Sequence, residues 1–143
     1  MYLLMTEIGH LGLSIIAGYV SFKRSRRLLS YFLAILSGFL VDLDHVIDYF
    51  LHKGLKFDLR SFISGQHYHD TNTSYILFHS WELVLVLGVL LISNKKKDLL
   101  FPIFLGLLFH LIWDHLTNPI HWYTYFLIGR YLQGFALDRL FVF

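Results

Sequence analysis

The stretch LLSYFLAILSGFLVDLDHVIDYFL, residues Leu28–Leu51, decides the fold. It is apolar over the length that a helix needs to cross a bilayer, since a span takes roughly 20 apolar residues. The basic segment KRSRR, residues Lys23–Arg27, precedes it directly, and its acidic residues all follow Val41. The pattern predicts a membrane-crossing helix that carries ionisable side chains towards one end.

The composition of the whole chain agrees with a membrane protein. Of its 143 residues 56% are hydrophobic and 15% are charged, whereas a soluble domain has about 25% charged residues. The formal net charge of +2 is too small to indicate nucleic-acid binding. The absence of cysteine excludes disulfides, thiolate metal ligands and cysteine nucleophiles. We predict a single integral-membrane domain over residues 1–143 that binds no nucleic acid.

Four further apolar stretches have helical length, and none shows the alternation of a strand. They are Tyr2–Phe22, Ser74–Ser93, Leu99–Leu116 and His121–Val142. The sequence therefore predicts an all-α, polytopic membrane bundle of four to five transmembrane helices. The fifth stretch either crosses the membrane or lies in the interface as an aromatic anchor, because crossing would leave Arg130 at mid-depth.

Two basic clusters predict the topology. Lys23–Arg27 joins the first two stretches, and Lys95–Lys97 joins the third and fourth. Short cytoplasmic loops collect Lys and Arg, so both clusters are expected on the cytoplasmic side of the membrane. The Lys53–Thr73 loop and the Thr117–Pro119 turn are then expected on the outer side.

Ionisable residues of four stretches fall at one depth. At 1.5 Å per residue, each lies about 20–24 Å from its nearest basic cluster. These residues are His10, Asp42, His79 and His110. Asp114 follows His110 by one helical turn and shares its face. Buried ionisable groups are costly within a membrane, so this arrangement predicts a functional cluster near the outer face.

The ligand types indicate a metal. Imidazole and carboxylate without thiolate suit Zn, Mn or Fe, and we expect one or two divalent ions, Zn first. Asp42 and Asp44 differ by about 200° around a regular helix, so only one of them is expected to be a ligand, and the choice stays open. His115 and Glu82 either support the ligands or have no part in the site.

Other polar residues are expected to have structural or interfacial roles. Asp48, His52 and His121 are assigned to the membrane interface. The loop GQHYHD, Gly65–Asp70, resembles an H-x-H-D metal motif but lacks the sheet that such motifs require, so an exposed polar loop is expected.

The order of four short motifs resembles a known family. They are Gly9-His10, SGFLVDLDH (Ser37–His45), His79-Ser80 and HLIWD (His110–Asp114). Together they resemble the YdjM-like family of inner-membrane metal-dependent hydrolases, which are LexA-regulated in some bacteria. The order is also similar to part of the ligand set of zinc-dependent phospholipase C.

The resemblance implies a set of metal ligands, which is His10, Asp42 or Asp44, His79, His110 and Asp114. It implies that His10 holds a second metal and shares Asp114 with the first. Asp114, His110 and Asp44 are the catalytic residues expected on this basis.

Two functions are compatible with these residues. The first is a membrane-embedded hydrolase of a phosphoester such as a phospholipid, with a membrane lipid or lipid-linked substrate and metal-activated water near the outer face. The alternative is a non-catalytic membrane protein, either a metal carrier or a helical scaffold. A carrier needs polar residues through the full depth, whereas the cytoplasmic halves here are almost wholly apolar. A serine esterase based on Ser80 is disfavoured, because no nucleophile-elbow glycines flank it.

Overall fold

The computed structural model describes residues 2–93 and 96–142, with side chains from residue 8 onward. Within those ranges the regular structure is helical, apart from two isolated bridges between Thr73 and Ala136 and between Ile120 and Phe141. In chain order the helices are α1 (Tyr2–Ser25), α2 (Leu28–Leu40), α3 (Leu43–Lys53), α4 (Leu59–Ile63), α5 (Gln66–Thr71), α6 (Trp81–Ser93), α7 (Lys97–Thr117), α8 (Leu127–Leu132) and α9 (Leu137–Leu140). The prediction of an all-α protein is confirmed.

Helices α1, α2 and α7 pack against one another, and small residues set their spacing. A Cβ atom at Gly38 would clash with Oγ of Ser14 on α1, and one at Gly106 would clash with the carbonyl oxygen of Ala34 on α2. Small side chains let helix backbones approach closely, as they do in many membrane bundles. The close packing brings the polar ends of these helices within contact distance.

Two helical stretches are long and apolar enough to cross a membrane: Leu28–Lys53, which is α2 followed by α3, and Lys97–Thr117, which is α7. In their most apolar segments only 28% and 39% of the residues are buried inside the protein. The core helix of a soluble protein would be mostly buried, because its apolar face needs protein around it. Here large apolar side chains such as Leu28 and Leu116 are 67% and 74% exposed.

The predicted third span is shorter than expected, because Ser74–Ser93 is helical only from Trp81. The residues before α6 donate their N–H groups to two carboxylates instead: Tyr75 and Ile76 to Asp48, and Phe78 and His79 to Asp44. A helix of 13 residues rises about 20 Å, which is less than the roughly 30 Å of a hydrocarbon core. Carboxylates on α3 thus accept N–H groups of the residues that were expected to form the first turns of the predicted helix.

The fifth stretch, His121–Val142, does not form a crossing helix in its described residues. It forms α8 and α9, with a tight turn between them where Gly134 and Phe135 have φ values of 66° and 57°. Arg130 is fully buried and donates from Nη1 to the carbonyl oxygen of His79 at 2.7 Å. The carbonyl oxygens of His79 and Thr124 accept from Nη1, an interaction that hydrocarbon could not offer, and the segment folds back onto the protein.

The first basic turn lies beside the start of α7. Arg27 Nη1 is 3.9 Å from Asp98 Oδ2, and the Arg24 guanidinium lies 4.4 Å from the centre of the Phe101 ring. The second basic cluster immediately precedes this part of α7, although Lys95 lies outside the described residues. The two basic segments are therefore at the same end of the bundle, as the positive-inside argument requires.

Candidate metal centre

Four side-chain atoms converge at the end of the bundle opposite the basic turns. His79 Nε2 lies 3.1 Å from His110 Nε2 and 3.2 Å from Asp114 Oδ2. His110 Nε2 lies 3.3 Å from the same Asp114 oxygen. Asp42 Oδ1 completes the group at 3.4 Å from His79 Nε2 and 3.5 Å from His110 Nε2. We call these four residues the central cluster.

Five of the six separations within the central cluster, all except that between Asp42 and Asp114, are compatible with a tetrahedral metal. Ligands placed about 2.0–2.2 Å from Zn²⁺ at tetrahedral angles lie about 3.3–3.6 Å from one another. The five separations above run from 3.1 to 3.5 Å. The donor set of two imidazole nitrogens and two carboxylate oxygens is also one that Zn²⁺ accepts. These buried His and Asp side chains could therefore hold a metal ion.

The hydrogen bonds of Asp44 orient the ring of His79 towards the central cluster. Asp44 Oδ2 accepts from the backbone N–H groups of Phe78 and His79, at 2.7 and 3.2 Å, and from His79 Nδ1 at 3.0 Å. An ionised carboxylate can only accept, so Nδ1 of His79 carries its hydrogen and Nε2 is the ring nitrogen that faces the central cluster. A carboxylate behind a metal-binding histidine is a common arrangement in zinc proteins.

Asp42 and Asp44 both reach His79, but on opposite edges of its ring. A short turn at Val41 and Asp42 separates α2 from α3 and places Asp42 against Nε2, while Asp44, in the first turn of α3, bonds Nδ1. Asp44, His45 and His79 also come close enough to form a possible ligand group, but that group would require His79 Nδ1 to give up its bond to Asp44. The geometry therefore favours Asp42 as the ligand and places Asp44, expected above as a catalytic ligand, behind the His79 ring.

Asp114 lies between the central cluster and His10. Its Oδ1 is 3.1 Å from His10 Nε2, while its Oδ2 faces His79 and His110. The rings of His10 and His110 stack, with centres 4.1 Å apart. Candidate ligand atoms of His10, His110 and Asp114 lie within 4.8 Å of one another, so a second ion has a possible position beside the first. This arrangement is the one that the resemblance implies for Asp114.

Asn118 holds the Asp114 carboxylate from the other side. Its Nδ2 donates to Asp114 Oδ1 at 3.1 Å and to the Tyr125 hydroxyl at 2.8 Å. The contact follows from helix geometry, because residues four apart lie on one face and Asn118 caps the end of α7. From the sequence, Tyr125 was expected in an aromatic anchor at the interface and Asn118 only in the turn that ends the helix, although the spacing of four residues from Asp114 to Asn118 was a signal for this contact.

The central cluster opens on the side of Asp42 and His45. The side chains of His79, His110 and Asp114 are buried, whereas those of Asp42 and His45 are 32% and 37% exposed. His45 Nε2 lies 3.8 Å from Asp42 Oδ1. The centre can therefore be reached from outside the protein past Asp42 and His45, and we call this opening the mouth.

The loop motif contributes to the mouth through its tyrosine. The Tyr68 hydroxyl lies 2.9 Å from His45 Nδ1, and burial near carboxylates raises the Tyr68 pKa, so the hydroxyl keeps its hydrogen. His67 is buried instead among aromatic rings such as that of Tyr49, 4.9 Å away. His69 and Asp70 are exposed, and Asp70 pairs with Lys53. The expectation of an exposed loop thus holds for only part of the motif.

Asp48, His52 and His121 were all expected at the membrane interface. The side chains of Asp48 and His52 are buried within the protein and hold the segment before α6, with His52 Nε2 2.6 Å from Thr73 Oγ1. The spacing of four residues from Asp44 to Asp48 to His52, along one helix face, was the available signal. The His121 ring stacks on Tyr123 away from the central cluster.

Glu82 and Ser80 form a separate structural unit. The Ser80 hydroxyl donates to Glu82 at 2.6 Å, and Glu82 also accepts the N–H groups of Leu127 and Ile128 at the start of α8. Glu82 thus anchors the C-terminal segment, and this bond leaves Ser80 without the histidine base of a serine esterase. His115 lies near Trp81 and Tyr125, with ring centres more than 6 Å away, outside the central cluster.

Comparison of the chain with protein-family models, with curated proteins and with solved structures finds no match. The function therefore has to be inferred from the geometry of this site and from the membrane-like character of the helices. At this stage the protein is an all-helical chain with two stretches able to cross a membrane and with buried His and Asp groups able to hold a metal.

Proposed function

We propose that the protein is a membrane-embedded, metal-dependent hydrolase of a phosphoester, with Zn²⁺ held by Asp42, His79, His110 and Asp114. The observation that carries the proposal is the convergence of four ligand atoms at 3.1–3.5 Å in a largely buried position. Electron-rich atoms at this spacing repel one another unless a cation or protons lie between them. Such a cluster is costly within a membrane and is therefore a functional site by default.

The donor set favours zinc over the commoner divalent cations. Ca²⁺ takes six to eight oxygen ligands, and Mg²⁺ requires an octahedral shell of oxygens. His79 and His110 contribute nitrogen, and four contacts at tetrahedral spacing match Zn²⁺ most closely. Mn²⁺ and Fe²⁺ accept the same donors and are included in the test below.

A divalent metal at this site supplies a Lewis acid for a phosphoryl oxygen and lowers the pKa of water to near 7. The protein's own residues do the remaining work. His79 is held in one tautomer by Asp44, and Asp114 is held by Asn118, so both ligands are oriented before substrate arrives. Asp42 is the exposed member, and a substrate oxygen reaches the centre on its side.

Hydrolysis also needs a proton for the departing alcohol. Water adds its oxygen to phosphorus and gives up a proton, the ester P–O bond breaks, and the departing alkoxide takes up a proton. His45 lies at the mouth, with Nε2 towards Asp42 and Nδ1 bonded to the Tyr68 hydroxyl. We assign His45 to the transfer of this proton and Tyr68 to holding its ring in place.

The packing below the site disfavours a carrier. Ala17, Ala34 and Leu105 form a buried apolar cluster between α1, α2 and α7, and Phe101 and Phe109 pack against it. The buried polar side chains in this part of the described structure are serines such as Ser21 and Ser30, and the cluster itself offers an ion no imidazole or carboxylate. A scaffold that uses metal only for stability is the remaining alternative.

The experiment that tests the proposal is metal reconstitution followed by assay. The purified protein in detergent is stripped with a chelator, reloaded with Zn²⁺, Mn²⁺ or Fe²⁺, and offered a panel of phosphoesters that includes phospholipids and short soluble esters. We expect hydrolysis that disappears with the metal and returns with it. Metal binding that stabilises the fold, without hydrolysis of any ester in the panel, would favour the scaffold.

A further inference from the structure

A second feature of the molecule is an apolar groove of about 340 Å³ between α2, α6 and α7. Its lining includes Leu36, Leu40, Val41, Phe78, Leu83 and Ile103. Ser37 also lines it, but its hydroxyl donates to the Ala34 carbonyl oxygen at 3.0 Å and is therefore already bonded. The groove offers no charged side chain to a ligand, so its occupant has to be apolar.

The groove extends to residues that adjoin the central cluster in the chain. Val41 and Phe78 line the groove, and they immediately precede Asp42 and His79 of the central cluster. Asp42 is also the exposed member of that cluster. A molecule lying in the groove would therefore place its end beside the candidate metal.

The size of the groove selects among apolar occupants. A helix with its side chains has a diameter of about 10–12 Å, so about 340 Å³ would hold only a few ångströms of its length. A second copy of this chain or a partner helix therefore does not fit. A single alkyl chain does, and the volume falls in the range of small-molecule sites, roughly 300–1,000 Å³.

The groove is also open towards the side of the bundle. Leu36, Leu40 and Leu83 on its rim are 38–52% exposed and belong to the apolar surface of α2 and α6. In a bilayer this surface faces hydrocarbon, so a lipid chain can enter sideways without passing through water.

We propose that the groove binds an acyl chain of a membrane lipid and that the lipid's phosphoester then lies at the mouth. The inference rests on the proposed function for its choice of headgroup chemistry, while the groove itself is an independent observation. It makes the substrate a lipid that enters from the membrane, and a soluble phosphoester would leave the groove empty.

The test uses tryptophan substitutions that fill the groove from two different helices. Leu83→Trp on α6 and Ile103→Trp on α7 place a large ring in it, and Val89→Trp on α6 is the control, because Val89 is 64% exposed and does not line the groove. Zinc content and elution as a single species establish that each variant is folded. Two variants on separate helices keep the test valid if one of them fails to fold.

The first measurement needs no catalysis. The protein in lipid nanodiscs is irradiated with phosphatidylethanolamine that carries a diazirine in one acyl chain, and cross-linked peptides are mapped by mass spectrometry. We expect labelling of groove residues in the wild type and in Val89→Trp, with severalfold less in both groove variants. Equal labelling of the groove in all four proteins would overturn the proposal.

The second measurement is chain-length dependence. KM for soluble, monomeric phosphoesters should fall about tenfold or more as the chain lengthens from four to eight carbons, and this dependence should disappear in the groove variants. Metal-dependent hydrolysis with no chain-length dependence would refute the groove and leave the hydrolase standing. Groove labelling without metal-dependent hydrolysis would support the lipid site and refute the hydrolase.

Discussion

Replacing Asp114 with asparagine should weaken metal binding more than any other conservative change in the site. One carboxylate oxygen is 3.2 Å from His79 Nε2 and 3.3 Å from His110 Nε2, and the other is 3.1 Å from His10 Nε2. Asparagine keeps the shape but removes the negative charge and presents an N–H₂ group to one of these neighbours. In either amide orientation, one of the contacts becomes unfavourable.

The expected loss of zinc affinity can be scaled from residues that orient a metal ligand without binding the metal themselves. Losing a group that only orients a ligand typically weakens metal binding 10–100-fold. Asp114 is a candidate ligand, so Asp114→Asn should lower zinc affinity by more than about 100-fold, or about 2.7 kcal/mol. Hydrolysis should fall by more than about tenfold, which is about 1.4 kcal/mol of transition-state stabilisation.

The assay is competition for zinc between the protein in detergent and a fluorescent chelator. His121→Ala is the control, because the His121 ring stacks on Tyr123 with centres 5.3 Å apart and does not contact the central cluster. It should keep wild-type affinity. If Asp114→Asn kept wild-type zinc affinity while His121→Ala lost it, the placement of the metal site would be refuted.

Further predictions concern the neighbours of the cluster and the packing below it. Asp44→Asn should weaken zinc binding by about 10–100-fold, less than Asp114→Asn does, because Asp44 acts through His79; an equal or larger loss in the chelator competition would make Asp44 a ligand. Removing zinc should lower the melting temperature measured in detergent, because a ligand at a free concentration of about 100 times its Kd stabilises the folded protein by about 2.7 kcal/mol. An unchanged melting temperature would speak against a site in the folded state. Gly106→Leu should destabilise by about 1–3 kcal/mol or prevent folding, because its Cβ clashes with Ala34 on α2, whereas Gly12→Ala has open space and should melt like the wild type.

The depth of the cluster was predictable from the sequence because helices are rods with a fixed rise. His10, Asp42 and His110 lie on helices or at a helix break, and counting 1.5 Å per residue placed them at one level. His79 precedes α6, yet only Ser80 separates them, so the count holds for it as well. The structure brings these side chains into contact, as that reasoning expected.

The local departures from helix were not predictable in this way. No proline lies near Val41 and Asp42 in the sequence. The helix break there follows instead from tertiary contacts. The carboxylates of Asp44 and Asp48 take N–H groups that would otherwise start α6. Such competition between a side chain and a helix depends on residues distant in sequence.

The C-terminal stretch shows a second limit of predicting structure from the pattern of apolar residues. Apolar composition alone left open whether His121–Val142 crosses the membrane, and Arg130 was the residue that made crossing costly. The structure buries Arg130 against backbone carbonyls and bonds the start of α8 to Glu82. Thr124, one acceptor of Arg130, lies within the stretch, but His79 and Glu82 lie outside it, so its own sequence could not reveal the fold.

The measurement that tests the central claim most directly is the metal content of the purified protein. The wild type, His110→Ala and His121→Ala are purified in detergent without chelator, incubated with zinc, passed through a desalting column and analysed by inductively coupled plasma mass spectrometry. The wild type and His121→Ala should retain at least one zinc ion per chain, and His110→Ala should retain far less. A folded wild type that retains no metal, or a His110→Ala variant that retains as much as the wild type, would contradict the metal centre.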